Sequence, residues 1–205
     1  VSDNKNKTIN FDKVEVKIKT SIPKPLYNLT DIQQAASALF GLSPKQTLNI
    51  IQRLYESHKV LTYPRTDSRY LTTDMKNTLA DRLRAIGGDY KEITAKLLRE
   101  KDFNTKRIIN NSKVSDHHAI IPTEQKPNYM SLSDTELKIY NLVVTRFLEN
   151  LLPDYKYEET SYSFKLDNKV FTAKSTKVIQ LGFKELSRSE IEDKKISFST
   201  KEFSL

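Results

Sequence analysis

Apolar and polar residues alternate near both ends of the chain and fall at helical spacing between them. Val14-Glu15-Val16-Lys17-Ile18-Lys19 sets apolar side chains two apart, the pattern of a strand with one buried face. Residues 1–8 are polar and are expected to fray. Ile22-Pro23-Lys24-Pro25 ends the strand in a stiff connection. Thr30-Asp31-Ile32-Gln33 then reads as a capping box, in which a hydroxyl and an amide meet the first free backbone N–H groups. The predicted helix carries Ile32, Ala35, Ala36 and Leu39 on one face and stops near Gly41. Ser43-Pro44-Lys45-Gln46 opens a second helix, with proline at the first helical position. Leu48, Ile51, Leu54 and Tyr55 form its apolar stripe, and it ends about Ser57-His58. Val60-Leu61-Thr62-Tyr63 follows as a short strand.

Thr72 or Thr73 caps a third helix through Met75, Leu79, Leu83 and Ile86, closed by Gly87-Gly88. A fourth runs from Tyr90 to Lys101, and residues 102–115 read as a loop exposing Lys106, Arg107 and Lys113. Residues 115–122 re-enter the core. Ser133-Asp134-Thr135-Glu136 is another capping box and opens the longest helix, which Pro153 ends. Beyond it the period falls to two. Residues 162–166 and 170–173 flank Asp167-Asn168-Lys169 as a hairpin. Residues 178–183 read as a further strand, and 187–205 as irregular or an edge strand.

These elements predict an α+β chain. A mainly helical domain, residues 25–153, is inserted into a β-rich domain made of residues 1–24 and 154–205. Two helices running into a short strand match a helix-turn-helix or winged-helix arrangement, an architecture that often meets DNA.

The 205 residues are enough for one large or two modest cores. No apolar run approaches the ~20 residues of a membrane-spanning helix, and no signal peptide or cysteine is present. A cytoplasmic, nucleoid-associated location fits. The chain starts at Val1 rather than Met, which is expected of a piece of a longer protein. A formal net charge of +8 favours a polyanionic partner.

The candidate chemistry sits in Tyr63-Pro64-Arg65-Thr66-Asp67-Ser68-Arg69. Pro64 pushes Tyr63 into an extended conformation, and the polar residues after it favour a hydrogen-bonded turn. A phenol with a guanidinium two residues on suits binding and attack of a phosphate. A packed strand tyrosine beside a solvated arginine is the plainer reading of the same residues.

Longer stretches tip the balance. Tyr63-Pro64-Arg65-Thr66-Asp67-Ser68 is similar to the Tyr-x-Arg-Thr-Asp-Ser active-site pattern of type IA DNA topoisomerases. Gln52-Arg53-Leu54-Tyr55-Glu56, Leu29-Thr30-Asp31-Ile32-Gln33-Gln34-Ala35-Ala36-Ser37 and His117-His118-Ala119-Ile120-Ile121-Pro122-Thr123 resemble three further motifs of that family, in its order. The wording looks most like bacterial topoisomerase III. The resemblance implies that Tyr63 is the nucleophile, ending as a 5′-phosphotyrosine, and that Arg65 holds the scissile phosphate. It further implies DNA contacts from His117, Ser68 and Arg69, and a tyrosine domain hung on a β-rich arch that opens as a gate. Arg146, on the longest helix, is placed along the DNA path or on plain surface. Single-stranded DNA and the remaining domains of a parent topoisomerase are the implied partners.

One departure limits this reading. The family's Mg²⁺ is bound by an acidic Asp-x-Asp domain with a catalytic glutamate, and no Asp-x-Asp occurs here. The Mg²⁺ ligands of the full-length enzyme are therefore expected outside this chain, and no metal site is assigned within it. Asp116-His117-His118 makes a poor metal site because adjacent side chains diverge. Two alternatives remain: a non-catalytic winged-helix-type DNA-binding module, and a tyrosine recombinase. The second is disfavoured because its tyrosine follows the arginine and histidine set, whereas Tyr63 comes first.

Overall fold

A computed structural model describes residues 11–100, 103–166 and 169–190. The chain divides into two compact units, one of residues up to Ile22 together with those from Asp154, the other Pro23–Pro153.

The first unit is a three-stranded antiparallel sheet of β1 (Phe11–Ser21), β2 (Tyr155–Leu166) and β3 (Lys169–Gln180), in that order. β1 pairs with β2 across the whole intervening helical segment, Val14 lying opposite Tyr162 and Ile18 opposite Glu158. Lys19 and Lys174 both reach Glu159, at 2.7 and 3.5 Å, and Phe164 stacks on Phe171 at 5.3 Å. The hairpin is longer than its sequence pattern predicts, and part of its connection lies outside the described residues. The separate strand expected at 178–183 is not formed. Val178 to Gln180 finish β3, then Gly182 turns left-handed (φ 51°) into 3₁₀ turns over Gly182–Glu190. Residues 191–205 lie outside the described part, so the edge-strand expectation there falls beyond it.

The alternation in β1 does not mark a buried face. Val14, Val16 and Ile18 are 53%, 57% and 71% exposed. Period-two patterning fixes which side chains share a face, and burial then requires a second layer. No described residue of this unit covers these three.

The second unit is helical: α1 (Leu29–Phe40), α2 (Pro44–Glu56), α3 (Leu79–Ala85), α4 (Lys91–Glu100) and α5 (Asp134–Leu151). α2 packs on both α1 and α5. Its core is Ile32, Ile51, Leu54, Leu83, Phe147 and Leu148 with Leu61, Ile120 and Ile121 from irregular segments, all essentially buried. Leu39 and Tyr55, read as core from their spacing, are instead 62% and 37% exposed.

The capping boxes at Ser43/Gln46 and Ser133/Glu136 form as predicted. The one at Thr30 does not, because α1 starts two residues earlier. Asn28 is the cap, its Oδ1 accepting from the Asp31 N–H at 2.8 Å while its Nδ2 donates to the Asp67 carbonyl at 3.1 Å. The third predicted helix is broken into a 3₁₀ stretch, Thr73–Thr78, and α3. Thr72 makes no side-chain cap there; Asn111 accepts from the Thr73 N–H instead, at 2.8 Å.

The predicted strand at 60–63 is reduced to an isolated bridge between Leu61 and Pro122. Pro64 and Pro122 lack an N–H, so no ladder can propagate from either segment. The described β pairings within this unit are isolated bridges, so no strand pair supplies the wing that a winged-helix reading needs.

Candidate active site around Tyr63

α2 delivers the chain to Tyr63. At its end the Val60 N–H donates to the Leu54 carbonyl at 2.9 Å, turning the backbone through Lys59, which adopts φ 57°. Val60 and Leu61 then enter the core. Thr62 stitches this segment to the next motif: its hydroxyl donates to the Ala119 carbonyl at 3.2 Å and accepts from the Ile121 N–H at 3.0 Å. The Thr62 N–H donates to the Ile121 carbonyl at 3.0 Å.

That stitching brings Tyr63 to His117, 54 positions apart in the numbering. Their ring centroids lie 4.3 Å apart with planes tilted by 43°. Tyr55 meets Tyr63 edge-on at 5.5 Å. Tyr63 is half-buried and His117 exposed. Beside them an open pocket of about 590 Å³ is lined by Tyr55, Glu56, Lys59, Thr62, Tyr63 and His118, among others.

The residues after Tyr63 split into two kinds. Pro64, Thr66 and Ser68 are buried, and Arg65, Asp67 and Arg69 are exposed. Thr66 donates its hydroxyl to the His117 carbonyl at 2.9 Å, a second tie between the motifs. Ser68 donates to the Lys113 carbonyl at 2.8 Å and accepts from the Tyr70 N–H at 3.0 Å, so its hydroxyl is committed to backbone. Arg69 grips the Asp31 carboxylate with two N–H groups, one at 2.8 Å. Arg65 projects from this braced turn with no described residue holding its guanidinium.

Other basic residues are less open than expected. Arg146 is largely enclosed. It donates to the Pro25 carbonyl and the Tyr27 hydroxyl at 3.0 and 2.9 Å and pairs with Glu149 at 3.2 Å. Arg107 is half-buried rather than exposed. His58, just past the end of α2, is half-buried and lies 3.6 Å from Glu136, which also binds Arg53 at 2.8 Å. Burial works to raise the Glu136 pKa, but hydrogen bonds from the Ser133 backbone, Arg53 and the Ser133 hydroxyl outweigh it, bringing it to about 2.

Sequence reasoning missed Arg82 altogether. It is 6% exposed, donating to the Pro122 carbonyl at 2.6 Å and to Thr78 at 3.0 Å and pairing with Glu124 at 2.8 Å. It thereby holds the residue that bridges Leu61. His118 is half-buried; burial lowers its pKa, and the Ala119 carbonyl, 2.8 Å from Nδ1, partly restores it. Among the described residues no three His, Cys, Asp or Glu side chains converge as a metal ion would require.

A family model described as DNA topoisomerase matches residues 1–203. The chain belongs to the DNA topoisomerase family. It is 51% identical over 178 residues to DNA topoisomerase 3 of Staphylococcus haemolyticus (strain JCSC1435), covering 86% of this chain and 25% of that protein. It is 45% identical over 190 residues to DNA topoisomerase 3 of Bacillus anthracis, covering 92% of this chain and 26% of that one. These names agree with the topoisomerase III wording of the motifs. The fold is similar to that of full-length topoisomerase I from Thermotoga maritima, with a TM-score of 0.70 at 22% identity, covering 98% of this chain and 33% of that structure. The chain thus spans about a quarter of the length of the curated relatives it matches.

Proposed function

We propose that this chain is the tyrosine-bearing gate segment of a type IA DNA topoisomerase, acting on single-stranded DNA as part of a longer protein. The observation that carries the reading is the braced turn around Tyr63. It sets a half-exposed phenol against the ring of His117 at 4.3 Å, with an unheld Arg65 two residues on. Arg65 binds the non-bridging oxygens of a phosphodiester. The Tyr63 oxygen attacks phosphorus in line and gives up its proton, and the bond to the 3′ oxygen breaks. That oxygen leaves with the electron pair and takes up a proton, while the 5′ phosphate stays on Tyr63. A phenol, with a pKa near ~10, leaves more readily than an aliphatic alcohol. The reverse attack by the 3′ hydroxyl therefore reseals the strand without ATP, after strand passage has relaxed or decatenated the DNA.

The described residues offer no cluster suited to Mg²⁺. The divalent cation and the proton donor for the leaving oxygen are assigned to other parts of the parent. Ser68 and Arg69 serve by holding the turn, Ser68 through backbone and Arg69 through Asp31. His117 contributes beside the phosphate once DNA is bound.

The test is covalent capture. In the whole topoisomerase, denaturant should trap a 5′ DNA end on Tyr63, and Tyr63→Phe should abolish the adduct. DNA affinity should change by less than about 1 kcal/mol, since the binding surface is kept. Adducts that persist in the Phe variant would sink the reading. An enzyme that binds DNA but never yields an adduct would favour a non-catalytic DNA-binding module.

A further inference from the structure

Among the described residues, Lys59 alone is a non-glycine with a positive φ, 57°. The position follows the end of α2, where a left-handed residue lets the next N–H close the helix, and glycine is the usual occupant because it has no Cβ to clash. Here Val60 makes that closing bond to Leu54 at 2.9 Å, and the Lys59 carbonyl accepts from the Thr123 hydroxyl at 2.6 Å. The backbone conformation is thus imposed from both sides, and an unfavourable residue is kept in it. Non-glycine residues held so are found disproportionately at ligand sites.

Lys59 lines the same pocket as Tyr63. It is exposed, and no described carboxylate pairs with it. The other charged side chain of the pocket, Glu56, accepts from Gln52 at 2.9 Å. The remaining wall includes Tyr55, 37% exposed and edge-on to Tyr63 at 5.5 Å, together with Thr62 and Thr123. An aromatic face and a cation around about 590 Å³ suit one nucleotide unit, while the Thr62 and Thr123 hydroxyls are taken up by backbone and hold the wall.

We infer that this pocket is a subsite for the nucleotide immediately 3′ of the scissile phosphate, the one that stays joined to Tyr63. Tyr55 stacks on its base, and Lys59 binds the phosphate that follows it. The inference rests on the proposed cleavage chemistry and deepens it. It makes Lys59 and Tyr55 binding residues that keep the broken 5′ end in place while the gate is open.

The experiment uses the whole topoisomerase in a Tyr63→Phe background, so that binding is read without cleavage, with a single-stranded oligonucleotide carrying one cleavage site. Lys59→Gly removes the charge and, having no Cβ, the cost of the left-handed conformation. Its melting temperature should equal or exceed that of the lysine protein, while the log–log salt slope of binding should shrink by about 0.7, the loss of one phosphate contact to a single strand. Lys59→Gln should show the same loss of slope. A neutral methylphosphonate at the linkage after the first nucleotide should weaken binding by the lysine protein and change nothing for Lys59→Gly. With 2-aminopurine as that nucleotide, fluorescence should be quenched on binding, retained as quenching in Tyr55→Phe and lost in Tyr55→Leu, with affinity down about tenfold. An unchanged salt slope in both Lys59 variants, or equal sensitivity to methylphosphonate with and without the lysine, overturns the subsite. Those outcomes leave the cleavage reading standing as long as the protein with Tyr63 still forms its adduct. Failure of adduct formation strikes the cleavage reading instead.

Discussion

Arg65 tests the proposed chemistry most directly, because the surrounding turn is held without it. Thr66 and Ser68 carry the hydrogen bonds of the turn, and the Arg69–Asp31 pair anchors its far side. Arg65→Ala should therefore fold normally and slow cleavage in the whole enzyme. Losing a charged donor to the transition state costs about 2.7–4 kcal/mol, or roughly 10²–10³ in rate. Arg65→Lys should recover only part of it, since lysine keeps the charge and loses the planar fork. Single-turnover cleavage of a labelled oligonucleotide measures both, and full activity in the alanine variant would reduce Arg65 to surface. At this scale the turn that presents Tyr63 and Arg65 was legible, because the polar residues after Pro64 that form it are contiguous. Lys59 and Arg82 were not. A left-handed lysine sits where only glycine or asparagine would have signalled the conformation, and a buried arginine in a helix reads as a solvated one until its partners, Pro122 and Glu124, are seen.

Among elements, local devices were readable and long-range ones were not. The Ser43 and Ser133 boxes close within one turn, so four residues of sequence suffice. The start of α1 instead depends on a bond from Asn28 to Asp67, 39 residues on. The strand expected for Tyr63 failed for a related reason, since its partner segment contains Pro122. The junction of α2 with α5 is another long-range device, with Arg53 and His58 of one end meeting Glu136 of the other. It predicts a pH dependence whose sign follows from the Glu136 pKa, lowered from 4.5 to about 2. A carboxylate with a lowered folded-state pKa adds stability that is fully present above the unfolded value. That stability is lost as pH falls toward the folded value. Melting temperature should thus drop between pH about 4.5 and 2. Glu136→Gln should be less stable at neutral pH and flatter across that window. A variant with the same slope as the unaltered chain would show that other carboxylates carry the transition.

For the whole molecule, the sheet face bearing Val14, Val16 and Ile18 shows what a pattern alone leaves open: it fixes the facing of β1 but not whether anything lies over it. The chemistry is divided in the same way. On the proposed function the nucleophile and a phosphate-binding arginine lie together here, with no described cluster to hold a metal. On the proposed function, the isolated chain should bind single-stranded DNA weakly and should not nick it, even with abundant Mg²⁺. About three to five phosphate contacts give a log–log salt slope near −2 to −4, and the formal charge of +8 is ample for that number. Adding the metal-binding part of the parent as a separate polypeptide should restore some cleavage. Restoration should be partial, because a covalent link supplies an effective concentration in about the millimolar range that free mixing does not reach. Nicking is scored on end-labelled oligonucleotide with and without EDTA, across a titration of the added polypeptide. Mg²⁺-dependent nicking by this chain alone would place a metal site within it and overturn the division. A salt-independent affinity, or a preference for one duplex sequence, would point to a DNA reader instead. Cleavage that rises with the added polypeptide and stays below that of the intact enzyme is the result expected of a split active site.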